Sequence, residues 1–170
     1  ATAAVSASAV SGQWLDYKGK KGPGKGKKVV LISGDEEYRS EEAMPALADI
    51  LSRHHGFDCR VVFAIDPKSG IVDPNNRINI PGLEALADAD LMFIATRFRD
   101  LPEEQMAHID AYLKRGGPVI GMRTATHAFN IGGDKTYAHY SNGYGGPKKE
   151  WQGGFGKVVL GDYWKNHHGG

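Results

Sequence analysis

Hydrophobic residues along this chain are gathered into four short runs that recur at regular intervals. The runs lie at residues 28–33, 60–65, 90–96 and 118–122, and they are rich in Val, Ile, Met and Phe. A continuous apolar run of this length, rather than an alternating one, is typical of a strand buried on both faces of a parallel sheet. We therefore predict four parallel strands.

The segments that follow the first and third runs have apolar residues at helical spacing and predict two helices. Ser40 is expected to cap the first helix and Gly56 to end it. Asp100 and Glu103 have the spacing of a capping box at the start of the second helix, which Gly116 ends. Strands that alternate with helices at about 30-residue spacing predict a right-handed, parallel α/β sheet.

The two ends of the chain depart from this pattern. Residues 1–27 are small, or rich in lysine and glycine, and predict a flexible N-terminal arm and linker. Residues 28–170 predict the α/β domain, whose pattern fades after residue 130, so that only residues 157–160 predict another strand. A sheet that stopped there would leave an apolar edge unprotected. We therefore expect either a longer natural chain or a second chain, such as another copy, over that edge.

The net charge of +1 hides an uneven distribution. Residues 18–28 hold six lysines and no acid, so the rest of the chain has 15 basic against 20 acidic residues. A mildly acidic body argues against a nucleic-acid partner. No apolar run approaches the ~20 residues of a membrane span. Ala7-Ser8-Ala9 resembles the end of a secretory signal and predicts export to the periplasm or the extracellular space.

Polar side chains follow three of the four predicted strands at the point where each strand ends. In a flavodoxin-like strand order, 2-1-3-4, these ends border one crevice, where such sheets bind ligands. Taken singly, each residue also fits a surface charge, a helix cap or a salt bridge. Together they predict a site, formed by Glu36, Glu37 and Arg39 after the first strand, Arg97 and Arg99 after the third, and Arg123, Thr124 and His127 after the fourth.

Several phrases of the sequence closely resemble the ThuA-like, or trehalose-utilisation, family. They are GDEEYRSEE, TRFRDLP and GMRTATHAF within residues 28–129, and GGFGKVVLGDYWKNHHG near the end. That family belongs to the class I glutamine amidotransferase-like superfamily. The resemblance implies a three-layer α/β fold of the flavodoxin-like type, a parallel sheet flanked by helices. It also implies a role in carbohydrate metabolism, with action on sugars or oxidised sugars.

The resemblance also implies that one activity of the superfamily is absent. Amidotransferases place a cysteine nucleophile in a pattern like P-x-x-G-x-C-x-G, and here Pro118 and Gly121 match while Arg123 takes the nucleophile position. Arginine stays protonated and cannot attack a carbonyl. Cys59, the single cysteine, lies on another predicted strand. We therefore expect no glutaminase activity.

An arginine at that turn suits the binding of an anion or the stabilisation of a developing oxyanion. His127 is then placed as a proton shuttle, and Glu36 or Glu37 is its expected carboxylate partner. Tyr140 and Trp151 are candidates to stack on a sugar, although core packing fits Trp151 equally well. The residues expected to bind substrate are Arg39, Arg97, Arg99, Thr124, Tyr140, Trp151 and His167.

Metal binding is the competing use of the histidines. His127, His139, His167 and His168, with a glutamate, could supply a His/carboxylate set for a divalent metal. None of them has the H-x-x-x-H spacing of a helical metal motif, so no cofactor is firmly implied.

Three functional hypotheses remain from the sequence. The first is an enzyme that acts on a sugar or keto-sugar by acid–base chemistry: hydrolysis, elimination or isomerisation. The second is a non-catalytic carbohydrate-binding or accessory domain that keeps the same crevice. The third is a structural interaction domain joined to a partner by its lysine-rich arm. The small-molecule partner is expected to be a sugar or a sugar-derived ligand.

Overall fold

A computed structural model describes residues 13–166 of the chain. Its sheet has five strands in the order β1-β3-β2-β4-β5, of which β1 runs antiparallel to β3 and the other four are parallel. This arrangement confirms the predicted order 2-1-3-4 of the four parallel strands. The strands are β1 (Trp14–Tyr17), β2 (Lys28–Gly34), β3 (Asp58–Phe63), β4 (Leu91–Thr96) and β5 (Val119–Gly121).

Helices cover both faces of the sheet, and the protein is therefore an α/β domain with a mostly parallel sheet. The helix α1 (Ser40–His55) packs on β2 and β3 through a buried stripe that includes Met44 and Ala48. On the opposite face lie α2 (Glu103–Lys114) and a short turn of helix at Leu83–Asp88. Apolar strands packed on both faces explain the continuous hydrophobic runs of the sequence.

Glycine ends α1 as predicted, but the two predicted N-terminal caps are wrong. Gly56 has φ 82° and donates its N–H to the carbonyls of Leu51 and Ser52. Ser40 is not a cap, because its hydroxyl lies 2.9 Å from the hydroxyl of Ser33 and accepts the N–H of Asp35. It therefore fixes the loop that leaves β2.

The capping box of α2 fails because a later segment binds both carboxylates. The carboxylate of Glu103 accepts hydrogen bonds from the N–H and the hydroxyl of Thr136. Asp100 pairs with Lys135 at 2.6 Å. The helix begins at Glu103 without a side-chain cap.

The described part of the N-terminal arm packs against the domain. Trp14–Tyr17 form the edge strand β1, which the sequence did not predict, and the Trp14 ring lies 4.7 Å from the guanidinium of Arg60. Within the lysine-rich segment, Gly24 donates its N–H to the carbonyl of His55 at 2.8 Å. Residues 1–12, including the pattern that predicts export, lie outside the described residues.

The predicted strand at residues 157–160 is wrong. Gly156–Leu160 form a wide helical turn instead. A Cβ on Gly156 would lie 2.1 Å from the carbonyl oxygen of Thr126, so this turn touches the backbone that follows β5. A Cβ on Gly121 would lie 2.6 Å from Cδ1 of Leu160, so the turn also packs against the last residue of β5. Within residues 13–166, no helix is long and apolar enough to cross a membrane.

Candidate functional site

The loops that leave β2, β4 and β5 each hold one residue in a left-handed backbone conformation. Arg39 has φ 53°, Phe98 has φ 50° and Arg123 has φ 54°. A residue with a Cβ pays a free-energy cost there, and such strain is concentrated at functional sites. The three strained positions surround the carboxyl edge of the sheet, where parallel α/β sheets bind ligands.

Two buried polar side chains connect the loops at this edge of the sheet, which we call the crevice. The hydroxyl of Thr124 lies 2.7 Å from Oδ2 of Asp35 and 3.0 Å from the carbonyl oxygen of Thr96. Oδ1 of Asp35 accepts the N–H of Glu37 at 2.8 Å. Asp35 and Thr124 are both buried. Thr124, expected to bind substrate, therefore connects the turn after β5 to the loops after β2 and β4.

Sequence reasoning missed Asp35, although it stands directly at the exit of β2. Its position next to Gly34, in line with Glu36 and Glu37, was the available signal. A buried aspartate that organises a loop cannot be told from a surface aspartate by local pattern alone.

Glu36 lies at the centre of a cluster of arginines. Its Oε1 accepts a hydrogen bond from Nη1 of Arg97 at 2.6 Å and from Nη2 of Arg77 at 3.4 Å, and its Oε2 accepts one from Arg99. Burial by itself raises the pKa of the Glu36 carboxyl. Hydrogen bonds from its own backbone N–H and from Arg97, together with the charges of Arg99 and Arg97, lower the pKa below its ordinary value. Glu36 is therefore held as a paired carboxylate, which is a poor proton acceptor.

Arg99 is fully buried and cannot contact a ligand as the sequence suggested. Its Nε donates to the carbonyl of Arg97 at 2.7 Å, and its Nη1 donates to the carbonyls of Pro74 and Asn76 at 2.9 and 2.7 Å. With Nη2 on Glu36, the guanidinium ties the long loop after β3 to the crevice. The long loop after β3 also supplies Arg77, which sequence reasoning did not include in the site.

Arg97 joins both glutamates of the first loop. Besides its bond to Glu36, its Nε lies 3.2 Å from Oε2 of Glu37, and its guanidinium lies 5.1 Å from the centre of the Phe98 ring. The side chain of Glu37 is 37% exposed, against 15% for Glu36. Glu37 is thus the carboxylate of the pair that a ligand or a proton can reach.

Arg123 presents its charge to solvent. The side chain is exposed, and its guanidinium carbon lies 3.9 Å from the centre of the Tyr38 ring. Within residues 13–166, no carboxylate forms an ion pair with Arg123. Stacking on an aromatic face orients a guanidinium without using its N–H groups. Arg39, in contrast, pairs with Glu42 on the surface of α1.

His127 lies one turn beyond Arg123, in an aromatic setting. Its ring centre is 4.8 Å from that of Phe98 and 5.1 Å from that of Trp164. The carbonyl of His127 accepts the N–H of Phe98 at 2.9 Å, which fixes the turn against the loop after β4. The ring is buried, with Nδ1 3.4 Å from the hydroxyl of Thr126. Sequence reasoning missed Trp164, which stands near the end of the described residues, in the phrase GDYWK.

Tyr140, Trp151 and His139 lie in a different place from the crevice. They line a groove of about 600 Å³ beside α2, and none of the crevice residues contributes to it. Tyr140 is buried and donates its hydroxyl to Oδ1 of Asp110 at 3.0 Å. Tyr140 is therefore part of the core and lies away from the crevice, where the sequence predicted it. The sequence-predicted residues thus divide between two regions of the molecule.

Within residues 13–166, no group of three or more His, Cys, Asp and Glu side chains is arranged to hold a metal ion. His127 and His139 belong to separate clusters of rings, around Trp164 and Trp151. His167 and His168 lie outside the described residues. A divalent-metal site stays a prediction of the sequence.

Comparisons with known proteins add no assignment. No family model matches the chain, and neither does any curated protein or solved structure.

Proposed function

We propose that the protein is a ThuA-like protein of carbohydrate metabolism, with the flavodoxin-like fold of the amidotransferase-like superfamily. Its crevice binds a sugar or keto-sugar and acts on it by acid–base chemistry. The phrases that resemble the ThuA-like family support the family and substrate class. The strand order, with polar loops at the carboxyl edge of β2, β4 and β5, supports the place of the site.

The observation that carries this proposal is Arg123. Its backbone is strained, its guanidinium is exposed, and the ring of Tyr38 orients it at the exit of β5. A residue with a Cβ lowers the stability of the folded protein in this conformation, whereas glycine adopts it without a steric penalty. The side chain itself therefore has a role, and an oriented guanidinium binds a carboxylate or stabilises a developing oxyanion.

The proposed chemistry uses Arg123, His127 on the same turn and Glu37 on the loop after β2. Elimination and isomerisation of a keto-sugar both begin when a proton leaves the carbon next to a carbonyl. The electron pair of that C–H bond moves onto the carbonyl oxygen, where Arg123 stabilises the negative charge. His127 is the proposed acceptor of the proton. Glu37, rather than the paired Glu36, is the carboxylate proposed to support it.

The state of Cys59 supports the absence of glutaminase activity in this proposal. Burial, with a smaller effect of Asp58, raises the pKa of the Cys59 thiol to about 12. A thiol that stays protonated at neutral pH is not a nucleophile. It also lies on β3, away from the turn after β5.

A second candidate function is a non-catalytic carbohydrate-binding domain. The pairing of Glu36 with three arginines favours it, because one of the two expected carboxylate partners is already occupied. The two functions differ in whether the bound ligand exchanges the proton next to its carbonyl with solvent.

Binding is tested by calorimetry with glucuronate as an anionic sugar. Arg123→Ala should weaken binding about 100-fold, because a charge-assisted contact is lost. Arg123→Lys should restore little of it, because an ammonium lacks the forked geometry. Arg53→Ala is the matched control, since Arg53 is an exposed arginine that pairs with Asp49 on α1. Equal affinity of wild type and Arg123→Ala would overturn the proposed site.

Catalysis is tested by incubating 2-ketogluconate with the protein in deuterated water. Proton–deuterium exchange next to the carbonyl, followed by NMR, should be accelerated by wild type and lost in His127→Asn. Binding of 2-ketogluconate without exchange would favour the non-catalytic function.

A further inference from the structure

The groove beside α2 has the size and shape of a ligand site of its own. It holds about 600 Å³ and lies between the end of α2 and residues 136–159. Pockets for small molecules fall in this range of volume, with a mainly apolar lining and a few polar groups. Since no crevice residue lines the groove, the site proposed above does not account for it.

The wall of the groove is a rigid aromatic surface. Trp151 is partly buried, and its ring packs against Tyr140 with centres 4.4 Å apart and planes inclined by 32°. His139 contacts the Trp151 ring edge-on at 4.7 Å. Tyr140 is in turn fixed by its hydrogen bond to Asp110. An aromatic ring held in this way is preorganised for binding and loses little conformational freedom when a ligand binds.

Charges around the groove cancel. Two lysines, Lys114 and Lys148, and two carboxylates, Asp110 and Glu150, line the groove, and Lys114 pairs with Asp110 at 2.8 Å. Lys148 Nζ lies 3.0 Å from Nδ1 of His139. Burial, and then the charge of Lys148, lower the pKa of His139, so that the imidazole is neutral at pH 7. The lining therefore has no net charge, in contrast to the arginine-rich crevice.

We propose that this groove is a second ligand site, separate from the crevice, and that it binds a neutral saccharide. The C–H face of a sugar ring packs on an aromatic side chain, as apolar groups do. Its hydroxyls both donate to carboxylates and accept from ammonium groups, so a rim of both signs suits them. A charged ligand would gain attraction from one pair of the rim and repulsion from the other.

The test compares maltose with glucuronate by calorimetry. Maltose should bind wild type, and Trp151→Phe and Lys148→Met should each weaken that binding about tenfold. Lys148 is exposed, so Lys148→Met is expected to fold normally even if Trp151→Phe does not. Lys149→Met is the matched control, because Lys149 is the adjacent exposed lysine and does not line the groove.

Crevice variants separate this proposal from the proposed function. Arg123→Ala should leave maltose affinity unchanged, whereas Lys148→Met should leave glucuronate affinity unchanged. Absence of saturable maltose binding to wild type would overturn the second site. So would maltose binding that Arg123→Ala removes and Lys148→Met does not, because the sugar would then occupy the crevice. Maltose binding without any glucuronate binding would support the groove and contradict the anion site.

Discussion

The crevice and the segment 143–161 both contain left-handed backbone conformations, but different types of residue adopt them. In the segment 143–161, left-handed conformations are taken by glycines, including Gly143, Gly153 and Gly154. At the exits of the strands they are taken by residues with long side chains, of which Arg123 is one. Glycine adopts this conformation without a steric penalty, whereas other residues do not. The side chains at the ends of the strands therefore lower the stability of the protein. Such a cost is expected where a side chain has a function.

Glycine in the segment 143–161 also permits close packing, and its replacement should have the largest effect. Gly154 has φ 77°, and a Cβ there would lie 1.9 Å from the carbonyl oxygen of Ser141. We expect Gly154→Ala to lower the free energy of unfolding by at least about 3 kcal/mol, measured by urea denaturation. Gly143→Ala is the control, because Gly143 has φ 70° but nothing within 4 Å of its Cβ position. It should cost about 1 kcal/mol. Equal costs at the two positions would show that strain, and not packing, selects glycine here.

In the crevice, stability depends on charge pairing instead. Glu36→Gln leaves Arg99, which is fully buried, without its carboxylate. Removing one partner of a buried ion pair costs about 3 kcal/mol, because the other charge is left uncompensated. Glu42→Gln, which breaks the exposed pair with Arg39, should change the free energy of unfolding by about 0.5 kcal/mol or less. A Glu36→Gln variant as stable as Glu42→Gln would mean that the arginine cluster contributes no net stability.

The crevice and the groove beside α2, which Tyr140 lines, should lose stability at opposite ends of the pH scale. The pKa of Glu36 is lowered from 4.5, so its contribution to stability is present above pH 4.5 and is lost as the pH falls through the folded-state value. Burial, and then Asp110, raise the pKa of Tyr140 from 10.0. Its contribution is present below pH 10 and is lost as the pH rises toward the folded-state value.

Denaturation over a range of pH tests this pair of expectations. The stability difference between wild type and Glu36→Gln should shrink only at acid pH, and that between wild type and Tyr140→Phe only at alkaline pH. Differences that do not depend on pH would show that these groups titrate alike in the folded and unfolded states.

The smallest change in the free energy of unfolding is expected at Arg123, and its sign tests whether the backbone there is strained. Arg123→Gly removes the left-handed strain that Arg123→Ala retains, so the glycine variant should be the more stable of the two by about 1 kcal/mol. Both variants should lose glucuronate binding, since both lack the guanidinium. If Arg123→Gly is the less stable variant, the left-handed conformation at this position is not strained. The proposed difference between the crevice and the segment 143–161 is then wrong.

Much of the fold could be predicted because its signals are local. The continuous apolar runs of β2 and β4 are fixed by their own residues, and Gly56 ends α1 through its own left-handed conformation. The strand order then places the loops after β2, β4 and β5 at one edge. The sequence could therefore predict that the loops that hold Glu36, Arg97 and Arg123 leave the same edge of the sheet.

The surroundings of Glu36, Tyr140 and Trp151 could not be predicted from the sequence, because they depend on tertiary contacts. Glu36 meets Arg97 and Arg99 across 61 and 63 residues of sequence, and those contacts change it from a candidate base into a paired carboxylate. Tyr140 and Trp151 lie beside α2 rather than in the crevice. Such outcomes depend on contacts between distant segments, which no local pattern records.

Local sequence was enough to predict the four parallel strands, the end of α1 and the arginine at the turn after β5. Hydrophobic periodicity and backbone preference act over a few residues, so a short stretch of sequence is enough to reveal them. Tertiary contacts account for the burial of Arg99, the helical turn at Gly156–Leu160 and the separation of the polar residues from the aromatic ones. The physical reason is that burial and charge pairing depend on which segments the folded chain brings together.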